Sequence, residues 1–481
     1  MDAKGLDETV RVSLGRSLIF FFLSHTVSPF ISHKISPSLL SFAIISPFLI
    51  LSTQFLIHTR TRTPSLSPFL YFFLSLSPSL HQTLMNSHKL SNMTDDLRRE
   101  AKRRGIPFLF NPLHPLDTHP ALLLLLSISD NKMRGVVTSS LFDLYWSKGG
   151  DVTSRDTLRK VMHQCGVNGS LDDILCDPNL AAQLRENTSF ASSRGVFSVP
   201  SFFLIQRDEK GADVVLDDRF YFSFDRLFLL GRRLGLPRSH PLGSPFRSVV
   251  TPLVSNPNAP LHTLYFYFDF GSPWAYIASS QVQRIASEHS SRLVYRPILL
   301  GALFKMIGTP NVPMLAISDA KRQYGVRDMN DWLEWWGGTN LRESFSFPTA
   351  FPLRTVTPLR LCLHIQAYQP NMVGKVVDEI FEAAWQRNVN IGSDEELVRI
   401  LLRAGMSQNE AMSLIDSSKR DDRCKAALRE NTQELADRKG CGVPSFSVDN
   451  GPLLWGQDRL GVVEDMLSGW KDSESSVTPK L

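Results

Sequence analysis

The chain contains a partial copy of itself, and any fold must accommodate both versions. Residues 184–202, LRENTSFASSRGVFSVPSF, match residues 428–446, LRENTQELADRKGCGVPSF, without a gap. Pro200 and Pro444 set the offset at 244 residues. Upstream, residues 141–167 run parallel to residues 380–406, with Trp146 opposite Trp385 and Gly166 opposite Gly405. Downstream, the FDRL that begins at Phe224 answers the QDRL that begins at Gln457. Self-similarity on this scale means two copies of one structural module, and 481 residues suffice for two or three domains. The modules span about 95–237 and 262–471. A Pro- and Ser-rich stretch, 238–261, joins them as inter-domain linkers do, and 472–481 form a tail.

The copies are unequal. The second module opens with the aromatic run FYFDFGSPWAYIAS, residues 266–279, for which the first shows no counterpart. The first module is therefore expected to be partial, lacking the first strand and the joint that follows it. Residues 1–92 have another texture: no Asp or Glu occurs between Glu8 and Asp95, while Ser, Phe, Leu, Pro and His recur. Three readings stay open for this segment. It is an acid-poor, Arg-dotted transit sequence, a membrane anchor centred on residues 38–57, or low-complexity chain without a fold. A mis-assigned start of the coding region belongs with the last reading, and Met85 and Met93 are both plausible true beginnings.

Within the second module a strand over 263–270 feeds a helix from Pro273 to about Ser287, and a second strand covers RLVYRPILL. A mostly helical stretch from Leu303 to Ser418 follows, with apolar periodicity in VGKVVDEIFEAAW and DEELVRILLRAG. A helix ending at Gly440, the strand VPSFSVD, a turn at Asn450-Gly451, a short strand PLLWG and a helix from about Asp458 complete the order. This β-α-β, helical insert, α, β-hairpin, α succession is an α/β thioredoxin fold with an inserted all-helical domain. It is present as one complete and one partial copy.

Composition narrows the function classes. Charged residues at 21% and hydrophobic ones at 43% fit a globular protein. A net charge of +5 without a dense basic run gives no footprint for nucleic acid. The five cysteines (Cys165, Cys176, Cys362, Cys424 and Cys441) form no CxxC pair, and no His/Cys group has the linear spacing of a zinc motif. No metal is therefore expected, and sparse, odd-numbered cysteines suit a reducing compartment.

The second module resembles the DsbA-like thioredoxin proteins, and within them the 2-hydroxychromene-2-carboxylate isomerases and kappa-class glutathione transferases. FYFDFGSPWAYIAS, RPILLGALFKMIG, KRQYGVRDM, FEAAW, GVPSF and WGQDRL carry the likeness, in order. The first module resembles only the later part of the same family. Disulfide-exchanging relatives place Cys-x-x-Cys where this chain reads Ser272-Pro273-Trp274-Ala275. Without cysteines there, a thiol supplied from outside is the natural reactant, and the resemblance makes it glutathione.

Ser272 and Pro273 read locally as a helix N-cap and first helical residue. The same helix N-terminus favours an anion, and a hydroxyl there can stabilise a thiolate and lower its pKa. The resemblance makes Ser272 catalytic and the peptide bond before Pro444 cis. It pairs the Val443 main chain with the cysteinyl backbone of glutathione, and it sets Gln457 and Asp458 at the γ-glutamyl end. Asp458 equally reads as a cap of the last helix. Lys305 belongs to the glutathione-binding set, and Lys321, Tyr324 and Trp332 to a substrate pocket. Arg322 also matches a family position near the substrate. Trp332, Trp335 and Trp336 equally fit the core of the insert, and Cys441 reads as a small buried residue.

Two functions follow. One is a glutathione-dependent isomerase or transferase acting through a serine-stabilised thiolate on a small electrophilic or aromatic-derived substrate. The other is a non-catalytic tandem thioredoxin-fold protein serving as an interaction module. The resemblance implies a dimer or, instead, pairing of the two modules within one chain. A membrane contact is expected only through an N-terminal anchor. The final PKL departs from a Ser-Lys-Leu peroxisomal signal by its proline, and a mitochondrial or peroxisome-like organelle is favoured over the cytoplasm.

Overall fold

The computed structural model describes residues 42–45, 87–207, 213–237 and 262–472. The linker 238–261, the tail from 473 and most of the N-terminal segment, including the anchor candidate apart from 42–45, lie outside the described residues. No helix among the described residues is long and apolar enough to cross a membrane. The chain divides into two units, one comprising residues 1–65 and 105–245, the other residues 66–104 and 246–481.

In the first unit, strand β1 (Phe42–Ile45) pairs antiparallel with β2 (Ser201–Arg207), which pairs antiparallel with β3 (Asp213–Phe222). β2 thus gains a neighbour that the repeat did not announce. Helix α1 (Ser87–Arg103) belongs to the second unit. Helices α2 (His119–Ser127), α3 (Asn131–Trp146), α4 (Arg155–Cys165), α5 (Leu171–Cys176) and α6 (Pro178–Ser193) precede β2, and α7 (Leu227–Arg233) closes the unit. Ser154, Ser170 and Asp177 cap α4, α5 and α6 through their side-chain oxygens, each satisfying an otherwise orphaned N–H. Val137, Tyr145 and Leu158, all fully buried, centre the helical core.

The second unit holds the complete module. Its sheet runs β5-β4-β6-β7, with β4 (Thr263–Phe268) parallel to β5 (Arg292–Pro297) and antiparallel to β6 (Ser445–Val448), and β6 antiparallel to β7 (Leu454–Trp455). A parallel pair needs a crossover, which is α8 (Pro273–Glu288). After β5 come α9 (Leu300–Met306), α10 (Asp319–Ser344), α11 (Val356–Tyr368), α12 (Val373–Trp385), α13 (Asp394–Arg403), α14 (Gln408–Arg420) and α15 (Asp422–Asp437). A 3-10 turn, Gln457–Arg459, leads into α16 (Leu460–Leu467). The aromatic run is buried because β4 is an inner strand: Phe266 stacks on Phe268 at 5.1 Å and on Phe446 at 5.5 Å, adding ring geometry to the burial term.

Three local endings differ from expectation. β4 stops at Phe268 rather than 270 because the Asp269 carboxylate turns back to accept from the Gly271 N–H at 2.9 Å. The hairpin turn sits on Asp449 and Asn450, both left-handed (φ 50° and 59°), a pairing that matches the twist of the strands. Lys439 takes the left-handed position after α15, at φ 60°. Gly440 is required for space instead, since a Cβ there would lie 2.7 Å from the Leu435 carbonyl oxygen.

Helix α1 belongs wholly to this unit. Arg103 is buried and donates to Asp465 on α16 at 2.5 Å and to the Gly461 carbonyl at 3.3 Å. Arg459 pairs with Asp96 at 2.8 Å, Arg99 with Asp472 at 3.1 Å. The helix is thus held on α16 and the turn before it by ion pairs, one of them fully desolvated.

Candidate functional site

The site forms where β4, β6 and the turn before α16 meet the start of α8. Ser272 is the N-cap of α8: its Oγ accepts from the Ala275 N–H at 3.2 Å and donates to the Val443 carbonyl at 3.2 Å. The Val443–Pro444 peptide bond is cis. The Pro444 carbonyl accepts from the Gly456 N–H at 2.9 Å, and Gly456 precedes Gln457 and Asp458. Ser272, Val443, Pro444, Gln457 and Asp458 are therefore linked by one hydrogen-bonded path, although up to 186 positions separate them in sequence.

Gln457 is buried and accepts at Oε1 from the Trp336 indole N–H at 3.4 Å, while Asp458 stays half-buried beside Arg459, 3.4 Å away. Gly456 has φ 110°, and a Cβ there would come within 2.5 Å of the Asp458 carboxylate. Glycine is thus what lets the carboxylate fold over the turn.

Lys305, Lys321, Tyr324 and Trp332 stand outside this path. Lys305 is exposed on α9 and Lys321 exposed in the first turn of α10, with Tyr324 half-buried one turn on. Trp332 is fully buried and stacks on Trp336 at 6.2 Å. It packs inside the unit. Burial pushes the Cys441 thiol up to about 12, which keeps it protonated and unreactive.

Two supports are not evident from sequence motifs. Asp269, 2% exposed, accepts from the Gly271 N–H and, at 2.8 Å, from the Leu300 N–H that begins α9. Burial raises its pKa, against which these backbone donors and Thr355 act. Trp385, fully buried, donates to the Phe270 carbonyl at 2.9 Å. Together they fix the backbone on both sides of residue 271, and hence Ser272. The one available signal was an acid set among aromatics in FYFDFGSP.

The DSBA-like thioredoxin domain model matches residues 72–230 and 263–468, so the chain belongs to that family. Residues covering 42% of the chain are 25% identical to glutathione S-transferase kappa 1 of Caenorhabditis elegans, over 89% of that protein. The same share is 25% identical to 2-hydroxychromene-2-carboxylate isomerase of Pseudomonas sp. (strain C18), also over 89% of its length. Among solved structures, a 2-hydroxychromene-2-carboxylate isomerase aligns with 43% of this chain and 94% of its own, at 21% identity and a TM-score of 0.34.

Proposed function

We propose that the second unit is a glutathione-dependent isomerase or transferase in which Ser272 stabilises the glutathione thiolate. The observation that carries this reading is the Ser272–Val443 hydrogen bond beside the cis Pro444, at a helix N-terminus without cysteine. Similarity to both kappa transferases and chromene carboxylate isomerases supports the shared chemistry.

In the free protein the Ser272 hydroxyl proton is committed to the Val443 carbonyl. When glutathione enters, its cysteinyl N–H takes that carbonyl, and the released hydroxyl turns its proton to the sulfur. The thiol proton leaves to solvent. A hydrogen bond to a charged acceptor contributes about 1.5–3 kcal/mol, equivalent to roughly one to two units off the thiol pKa. Asp458 meets the γ-glutamyl ammonium, Gln457 its polar groups, and Lys305 supplies a cation to the same ligand. In isomerisation the thiolate adds to a conjugated carbon, the former double bond rotates, and the C–S bond breaks to return the thiolate. In transfer the C–S bond stays.

The test is calorimetric titration of the full chain with glutathione, followed by conjugation to an aromatic electrophile, for wild type and Ser272→Ala. Binding with turnover that falls at least tenfold in the variant is expected. Absence of binding would leave Ser272 as a helix cap and favour the interaction-module reading.

A further inference from the structure

Far from Ser272 in the chain order, α11 and the start of α15 bring together three groups that share no linear motif. His364 lies on α11, Asp421 is the N-cap of α15, and Cys424 lies in its first turn. The His364 Nδ1 is 3.3 Å from Asp421 Oδ2 and 3.9 Å from Cys424 Sγ, and all three atoms lie within 4.8 Å of one another. Bonds of about 2.0–2.3 Å to nitrogen, oxygen and sulfur put tetrahedral ligand atoms roughly 3.3–3.8 Å apart. The cluster needs only small side-chain movements to reach that spacing.

The convergence on one ring nitrogen distinguishes a metal site from a nucleophile pair. A thiol–imidazole–carboxylate relay needs thiol and carboxylate on opposite ring nitrogens, whereas here both approach Nδ1. The side chains of His364 and Asp421 are 12% and 9% exposed, and Cys424 is buried. His364 and Asp421 border an open depression of about 560 Å³, which gives an ion a way in and leaves room for water at a fourth position.

We propose that His364 Nδ1, Asp421 Oδ2 and Cys424 Sγ form a binding site for a zinc-like divalent cation, independent of the Ser272 site. Imidazole, carboxylate and thiolate together suit such a metal, and on binding the Cys424 thiol loses its proton to solvent. Arg423 competes for the carboxylate, donating to Asp421 Oδ1 at 3.1 Å and to Oδ2 at 3.2 Å. The ion takes Oδ2, and Arg423 keeps Oδ1.

The first unit supplies an internal control. Counting 244 residues back sets Asp177 against Asp421 and Leu180 against Cys424. Asp177 caps α6 as Asp421 caps α15, so the aspartate alone serves the helix. The cysteine is peculiar to the second copy, and linear spacing concealed the set because His364 lies 60 residues before Cys424.

The experiment is titration of the reduced full chain with cobalt(II), read by the thiolate-to-metal charge-transfer band, and then displacement by zinc(II). One equivalent per chain is expected, with the band abolished in Cys424→Ser and affinity at least tenfold lower in His364→Gln. Arg423→Gln should bind severalfold tighter, and Asp177→Asn should bind as wild type. No sulfur-bound cobalt in the wild-type chain, or an undiminished band in Cys424→Ser, would overturn the site. Circular dichroism on each variant separates lost ligands from lost fold.

Discussion

The two copies keep the same packing devices and differ at the positions that would do chemistry. Phe345 stacks on Trp385 at 5.9 Å with Phe347 edge-on, and Phe108 stacks on Trp146 at 5.9 Å with Phe110 edge-on. Cis peptide bonds precede Pro200 and Pro444, and Pro115 and Pro352. The Ser223 N–H donates to the Pro200 carbonyl at 2.8 Å as Gly456 does to Pro444 at 2.9 Å. Asp225 pairs with Arg226 as Asp458 pairs with Arg459.

Against this shared frame, Phe224 stands where the second copy has Gln457, and Ser223, at φ 75°, where it has Gly456. β1 pairs Ile45 with Ser201 as β4 pairs Tyr267 with Ser445. Five residues beyond Tyr267 is Ser272, while the residues that follow Ile45 lie outside the described ones. Packing is what a duplicated module needs in order to fold. The proposed polar site belongs to the second copy.

The most disruptive way to probe the comparison uses α1, which precedes PFLFNPLHP as α10 precedes FSFPTAFPL. The second unit holds both helices. Arg103→Ala removes the buried guanidinium that donates to Asp465, and breaking a buried ion pair costs about 3–5 kcal/mol. Urea unfolding should show it as destabilisation of the second unit, although the residue directly precedes the 105–245 stretch of the first. Asp269→Ala comes next. It leaves the Gly271 and Leu300 N–H groups without their acceptor, at about 1–3 kcal/mol, and the same assay should show Asp269→Asn as milder. The smallest expected effect is exchange of the copies' own residues. Gln457→Phe should weaken glutathione roughly tenfold, about 1.4 kcal/mol, whereas Phe224→Gln should create no binding in the first copy.

Much of the second unit was legible because its signals are local. Pro273 after Ser272, the aromatic strand and the periodic helices each act within a few residues, and the family likeness joined them in order. The site's supports were not legible. Asp269 reaches Leu300, and Trp385 reaches Phe270, through contacts that only the folded chain creates. Helix α1 was concealed for the same reason. It is rich in charged residues and poor in apolar ones, and its attachment depends on Arg99, Arg103 and Asp96 meeting partners more than 350 residues away. Trp332, which the sequence left open between pocket wall and core of the insert, is fully buried.

The central claim is that the Ser272 hydroxyl stabilises a thiolate. Ultraviolet absorbance of glutathione bound to the full chain, followed against pH, tests it most directly. Wild type should titrate roughly one to two units below free glutathione, and Ser272→Ala close to the free value, with binding retained through Gln457 and Asp458. An identical, depressed pKa in both proteins would contradict the account and assign the stabilisation to the α8 N-terminus without its serine.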